Sequence, residues 1–407
     1  MRRVKVLISL VKDSLKVITT GSLKYHLWMG FLTLIMLIGM YCYSIQLEHG
    51  LSVTGMTDRV SWGLYISNFT FLVGVAAAAV MLVMPTYILK DVDFKQAVLI
   101  GEGLAVAALI MCLAFVVADM GGPSVLWHMI PGLGVFNFPD SMLAWDVIVL
   151  NGYLFLNISI PFYILFRHYQ GKESNPKIYI PGSILSVFWA VGIHLVTAFL
   201  YQGLQARPFW NNALLGPRFL ASAFAAGPAL IILVLAVIRS NTAFVIKDKT
   251  IGKIAIIVTV AAQINLIMLI SELFKEFYFP THHSESAYYL FFGLEGKTAL
   301  LPWIWTAISL NVIATIMLTF HKLRNNYRFL YVSCFMLFVA IWIEKGFGLI
   351  VPGFIPGPYG KISEYTPTGI EIGVTIGIWA MGAFIFTMLA RTAIEIELGK
   401  LRFKKKK

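Results

Sequence analysis

The chain has 407 residues, 58% of them hydrophobic and 13% charged, with a mean hydropathy of +0.79 and a formal net charge of +12. That composition excludes an ordinary soluble domain and requires lipid as the solvent for much of the surface. The basic residues flank apolar spans, so they argue for anionic lipid as a partner and against nucleic acid.

Residues 1 to 24 interleave Arg2, Arg3, Lys5, Lys12 and Lys16 with Val4, Leu7, Ile8, Val11 and Leu15, a pattern that predicts a helix lying in the inner interface. The segment lacks the continuous apolar region and small-residue cleavage site of a signal peptide. Ten segments long enough to cross a bilayer follow, near 26–47, 62–89, 96–120, 142–167, 178–203, 214–239, 251–276, 299–321, 329–352 and 366–393. With the N-terminus inside, 25 of the 32 Lys and Arg fall on the inner side, 6 fall on the outer side, counting Arg218 at the outer end of its span, and Lys345 lies within a span. Both termini are therefore expected in the cytoplasm, where the terminal KLRFKKKK run can meet anionic lipid. The outer connections are the longer ones and are rich in aromatics, Gly and Pro, which predicts packed caps and a docking surface. Spans two to five and six to nine share order and orientation, consistent with a parallel duplication. Pro228 is expected to bend the sixth span near its middle.

Nine ionisable groups lie within spans: Glu102, Asp119, Asp146, His194, Arg218, Glu272, Glu344, Lys345 and Glu371. At about 2.5 to 3.5 kcal/mol for a charge at mid-bilayer, nine facing lipid would cost roughly 20 to 30 kcal/mol, more than the ~5 to 15 that holds a domain together. They must face one another, water or a polar ligand.

In span four, Asp146, Tyr153 and Asn157 fall on one helical stripe. His128 precedes that span, and Trp62, Tyr65 and Asn68 stand at the outer end of span two. An acid and an imidazole beside aromatics suit a quinone, whose carbonyls take hydrogen bonds and whose reduction is coupled to protons. Local capping by Asp146 and a loop position for His128 are the competing structural readings. His194 shares a face with Thr197 and Tyr201 and reads equally well as a ligand or as a hydrogen-bonded core histidine. Glu272, Glu344 and Glu371, with Asn265 and Glu276 nearby and Lys345 as a local counterion, form either an ion-pair network or a proton path. Glu102 is the candidate acid of the cytoplasmic half. Asp119 and Arg218 read as snorkelling or capping groups at outer helix ends.

A b-type haem in a bundle needs two facing histidines, and only His194 of the eight is clearly inside a span, so no haem is expected. Cys42, Cys112 and Cys334 are dispersed, which predicts neither an iron-sulfur cluster, another metal site nor a disulfide.

Three stretches resemble one family: WGLYISNFTFLVGVAAAA in span two, LWHMIPGLGVFNFPDSMLAWDVIVLNGY, and HLVTAFLYQGLQARPFWNNALLGPRFLASAFAAGPA. The chain is similar to the NrfD, or polysulfide reductase C, family, and looks most like its ten-helix branch, which includes DsrP-type membrane subunits. The resemblance implies an all-α integral membrane protein of a prokaryotic cytoplasmic membrane, with two four-helix bundles. The implied organisation is an interfacial segment at 1–25, a flanking helix and outer loop at 26–61, bundles at 62–203 and 204–352, and a flanking helix with basic tail at 353–407. It further implies a quinone site near the outer face, with menaquinone the expected quinone. A ferredoxin-like iron-sulfur subunit would dock there, and a cytochrome c and a cytoplasmic module are further expected partners in a redox complex. Carried onto this chain, Asp146 and His128 become the proton-exchanging pair, with Trp62, Tyr65, Asn68, Tyr153 and His194 around the quinone. Proton routes map onto Glu102, His194, Glu272, Glu344 and Glu371. Some members carry a histidine on the second span, where this chain has Tyr65, Asn68 and Phe69. The rival readings are a secondary transporter, which the buried acids also suit, and a passive anchor of the complex.

Overall fold

A computed structural model describes residues 2–91, 93–130, 132–357 and 360–403. The described residues form helices α1 (Arg2–Thr19), α2 (Leu23–His49), α3 (Leu64–Ala77), α4 (Val80–Val83), α5 (Lys95–Asp119), α6 (Met142–Tyr169) and α7 (Pro176–Gln202). The second half adds α8 (Leu215–Asn241), α9 (Asp248–Tyr278), α10 (Glu285–Phe292), α11 (Leu301–Thr319), α12 (His321–Arg324), α13 (Tyr327–Lys345), α14 (Phe347–Ile350) and α15 (Gly369–Glu397). Among the described residues ten helical segments are long and apolar enough to span a membrane, and each coincides with a segment expected from hydropathy.

The spans pack as two closed rings. In the first, α3 meets α5, α5 meets α6, α6 meets α7, and α7 returns to α3; in the second, α8, α9, α11 and α13 close in the same way. The rings touch mainly through α3 and α8, with α3 also meeting α13 and α8 meeting α7. This reciprocal pattern is what a parallel duplication produces. All 14 residues of α3 are buried, so it is the central post of the molecule. Helices α2 and α15 pair outside the rings, and α15 leans on α5.

Small residues set the closest approaches. A Cβ at Gly227 of α8 would stand 2.2 Å from the Ala78 Cβ, and one at Gly74 would meet Ala223 at 3.4 Å. With lipid tails as apolar as leucine, such close backbone packing is a main source of helix association. Gly39 and Gly377 play the same part between α2 and α15, where a Cβ at Gly39 would lie 2.6 Å from the Gly377 Cα.

Pro228 is accommodated within the continuous helix α8, as are Pro161 in α6 and Pro181 in α7. The expected bend thus does not interrupt α8, and the irregularities lie elsewhere. Between α3 and α4 the bonding tightens to Met81 N–H on the Ala78 carbonyl and Leu82 N–H on Ala79, and Met84–Ile88 then widens into a π-turn. Ala78 and Ala79 keep right-handed helical angles, so the span is tightened rather than unwound. Span nine breaks at Gly346, where a Cβ would lie 2.6 Å from the Trp342 carbonyl oxygen and 3.3 Å from Ser67. Both irregularities occur where neighbouring helices press on α3.

Both termini lie on one face, called here the terminal face; the opposite face is distal. There α1 buries Val6 and Leu10 against Tyr169 and Ile396, and the Tyr169 hydroxyl donates to Asp13 at 2.6 Å. Lys404 to Lys407 of the basic tail lie outside the described residues. The rings are also tied at this face. Lys253 of α9 binds Asp91 and Asp93 of the α4–α5 connection, reaching Asp93 at 2.8 Å, and the Thr250 hydroxyl donates to the Asp93 carbonyl at 2.6 Å.

Two outcomes follow from this packing. Gly227→Val should lower the thermal stability of the detergent-solubilised protein by about 1–3 kcal/mol through overpacking, whereas Gly252→Ala, facing open space, should leave it nearly unchanged. Lys253 and Lys249 hold the Asp93 carboxyl down at about 2, below its ordinary value of 3.8. A depressed carboxylate contributes stability that is complete above about pH 4 and is lost as pH falls towards 2. Asp93→Asn should therefore melt below the parent at pH 6, with the gap closing near pH 2; a pH-independent gap would exclude the ion pairs as its source.

Candidate functional site

The first ring holds a series of polar groups that its own folding leaves unsatisfied. Asp146 stands on the buried stripe of α6 with Leu150, Tyr153 and Asn157, as the seven- and four-residue spacings predict. Its Oδ1 lies 3.1 Å from the Thr197 hydroxyl of α7, while its Oδ2 is buried without a partner. His194, one turn away on α7 and fully buried, sits with Nδ1 2.8 Å from the Ala190 carbonyl, so Nδ1 carries the proton and Nε2 keeps an unpartnered lone pair. The Tyr153 hydroxyl is likewise buried and unpartnered, and Asn157 bonds back to the Tyr153 carbonyl at 2.9 Å. Orphaned polar atoms are uncommon in folded interiors and each costs of order 1–3 kcal/mol. Several lie within the first ring, and in the second Asn265 of α9 is orphaned at both its side-chain polar atoms.

These groups are staggered in depth. At ~1.5 Å per residue, Asp146 lies ~6 Å from the distal end of its helix, His194 ~12 Å, Tyr153 ~17 Å and Glu102 ~26 Å. Glu102, 2% exposed, meets the Tyr87 hydroxyl at 3.4 Å, and Tyr87 in turn lines a cavity open to the terminal face.

The other residues singled out from the sequence are distributed differently. Trp62 belongs to an aromatic cluster at the distal face, with ring centroids 5.8 Å from Tyr201, 5.7 Å from Trp210 and 5.8 Å from Phe354. Tyr201 follows Thr197 by one turn, so the cluster adjoins the Asp146 side of α7, and its hydroxyl bonds Thr70 of α3. Tyr65 instead turns towards α2, donating to Gln46 Oε1 at 2.6 Å, and Gln46 is held by the Ala118 carbonyl. Asn68 is saturated: its oxygen accepts from the indoles of Trp342 at 3.0 Å and Trp379 at 2.8 Å, and its amide bonds Leu64. Tyr65 and Asn68 therefore tie helices together and present no free polar atom. His128 lies exposed in the short 3-10 helix Pro123–Met129, its ring stacked on Trp127 at 3.8 Å, and no hydrogen bond joins it to Asp146.

In the second ring the charges compensate one another. Arg218 of α8 bridges Glu272 of α9 and Glu344 of α13, with Glu344 at 2.6 Å. Asn212 donates to Glu272 at 3.2 Å and Asn311 to Glu344 at 3.1 Å. Arg218 is thus the counterion of this seam, correcting its assignment as a snorkelling group. Lys345, the expected counterion, instead donates to the Phe219 carbonyl at 2.8 Å and lies over that ring. Glu371 does not join Glu272 and Glu344. It closes the capping box of α15 with Thr368 and accepts from Gly55 N–H at 2.7 Å and Tyr365 hydroxyl at 2.6 Å. Asp119, read as a capping group, keeps one buried oxygen unpartnered at the end of α5. The intramembrane asparagine Asn311 and the helix-end Tyr87 are contributors that the sequence reading passed over.

Among the described residues no three His, Cys, Asp or Glu side chains lie close enough together to hold a metal ion. The features define a polytopic helical membrane protein whose interior carries protonatable groups in one ring and a closed ion network in the other. The chain belongs to the NrfD family: the family described as polysulphide reductase, NrfD, matches residues 52–356, which run from just before α3 to just beyond α14. It is 24% identical over 395 residues to a putative dimethyl sulfoxide reductase membrane subunit of Halobacterium salinarum, with 88% of each chain covered. It is 23% identical over 402 residues to the Hdr-like menaquinol oxidoreductase integral membrane subunit of Archaeoglobus fulgidus, covering 93% of this chain and 98% of that one. A third relative, a selenate reductase subunit of Mesobacillus selenatarsenatis, is 21% identical over 409 residues, with 89% and 92% covered.

Breaking the second-ring network on one side should be costly. Arg218→Gln leaves Glu272 and Glu344 buried without their cation and should destabilise the protein by about 3–5 kcal/mol in thermal denaturation. The triple variant that also carries Glu272→Gln and Glu344→Gln should recover most of that loss.

Proposed function

We propose that the chain is the quinone-reactive membrane subunit of a respiratory oxidoreductase, interconverting quinol and quinone near the distal face and exchanging electrons with a partner's redox centre docked there. The observation that carries this reading is the unpartnered, buried Oδ2 of Asp146, whose other oxygen faces Thr197. A carboxylate so placed accepts the two quinol protons in succession, releasing the first before it takes the second, as two electrons leave the ring for the partner's cluster. Thr197 is a positioning residue. Its single hydroxyl proton can serve Asp146 or the Ile193 carbonyl, 2.8 Å away, and so can follow the charge on the acid. The aromatic cluster of Trp62, Tyr201 and Trp210 offers the adjoining apolar wall.

The relative from Archaeoglobus fulgidus is named for menaquinol, which supports menaquinone as the quinone. The positive-inside pattern supports cytoplasmic termini, with the distal face outward. Membership of the NrfD family supports a ferredoxin-like iron-sulfur subunit as the partner on that face. His128, exposed in the distal loop, then passes protons to water rather than holding the ring. His194, Tyr153 and Glu102 extend a proton route towards the terminal face, entered through Tyr87. A transporter reading draws less support, because transporters use unwound segments near the midplane, whereas the irregular stretch of span two keeps helical angles and the break of span nine at Gly346 lies towards its distal end.

The test is quinol turnover by the assembled complex. Asp146→Asn should keep assembly and lower turnover by about 10²- to 10⁴-fold. Thr197→Val should cost about tenfold and Thr197→Ser much less. Undiminished turnover in Asp146→Asn with an intact complex would leave the chain a passive anchor.

A further inference from the structure

The cavity lined by Tyr87, of about 410 Å³, opens on the terminal face between the ends of the first-ring spans, remote from Asp146. Its size falls within the ~300–1,000 Å³ of small-molecule sites. Lys90 and Lys95 line it, both are exposed, and neither forms an ion pair among the described residues. The acids on its wall are already engaged: Asp91 is bound by Lys253, and Glu397 lies 2.5 Å from His168. Two long helices also begin here. Lys95 is the first residue of α5 and Pro176 the first of α7, so the positive ends of both dipoles add to the lysines. The buried Thr86 hydroxyl on the same wall has no partner. Lys90 itself is held at φ +58°, a conformation that costs a lysine more than a glycine. Deeper in, the wall turns apolar with Val98, Leu99, Ile164 and Ile180, and the apolar side chains of Leu89 and Met84 in the same π-turn region are exposed.

We infer that this cavity binds an anionic phospholipid, its phosphate between Lys90 and Lys95 and its first chain segments along the apolar wall. A free phosphate would use the cationic mouth but not the apolar wall beneath it, whereas a lipid uses both. Bound there, the lipid bridges the π-turn of span two to the starts of α5 and α7, beside the Tyr87 that contacts Glu102.

The experiment is native mass spectrometry of the full-length protein in detergent, titrated with phosphatidylglycerol, phosphatidylcholine or inorganic phosphate. One phosphatidylglycerol should bind each chain in preference to phosphatidylcholine. The Lys90→Gln/Lys95→Gln double variant should weaken it about thirtyfold, at about a tenfold per 1.4 kcal/mol and ~1 kcal/mol per lysine. Lys322→Gln/Arg328→Gln, which removes the same charge from the same face away from the cavity, should bind as the parent does. Ile180→Phe, which narrows the apolar wall with both lysines in place, should also weaken binding. Equal losses in the two charge variants would reduce the effect to general surface attraction and overturn the site. Displacement of the lipid by inorganic phosphate, or unchanged binding in Ile180→Phe, would overturn the lipid assignment in favour of a simple anion.

Discussion

The contact of α3 with α8 is the constraint on which the rest of the structure depends. Gly74 and Ala78 on one helix meet Ala223 and Gly227 on the other, at distances that leave no room for larger side chains. In a membrane, where apolar surface gains little by hiding from lipid, such close backbone contact is a main source of the attraction between the rings, reinforced at the terminal face by Lys253 with Asp91 and Asp93. The consequence is a fully buried α3, surrounded by helices from both halves. Its local tightening, its π-turn and the break at Gly346 are the accommodations that this crowding demands.

The two rings pair their buried charges differently, although each also keeps unpartnered polar atoms, Asn265 among them in the second. In the second, Arg218 lies between Glu272 and Glu344 and two asparagines satisfy remaining oxygens, a set in which each charge offsets the desolvation of another. In the first, Asp146, His194 and Tyr153 each retain an unsatisfied atom although the surrounding helices are tightly packed. A stable fold tolerates such groups where function supplies the missing partner. The unpartnered carboxyl oxygen of the first ring and the compensated carboxylates of the second are the sharpest contrast between them. The distal aromatic cluster joins them, since Trp62 precedes α3, Tyr201 closes α7, and Phe354 follows the last span of the second ring.

Much of the architecture was legible in the residues. The spans could be read from hydropathy because a bilayer demands about 20 apolar residues in each helix. The Asp146, Tyr153 and Asn157 stripe could be read because helical periodicity fixes which side chains share a face. Partner choice was less accessible. Lys345 is next to Glu344 in sequence, yet adjacent helical residues point apart, and the cation that reaches Glu344 comes from α8. Glu371 looked like a member of the same acidic group until its position at the start of α15 assigned it to a helix cap. Asn68 and Tyr65 stood on the expected helix at the expected depth, but the indoles of Trp342 and Trp379 and the amide of Gln46 had already claimed them.

By itself, the sequence determined that this protein lives in a membrane, how many times it can cross, and which ionisable side chains must be kept from lipid, because those follow from transfer free energies summed along one chain. Only the tertiary structure decided which buried groups find partners and which are left open, because hydrogen bonds and ion pairs between helices depend on azimuth and depth that no single helix encodes. Glu272 and Asp146 are both acids near a distal helix end. The first met an arginine across its ring and the second met a lone threonine, a difference of azimuth and depth that the two helices do not carry in their own sequences.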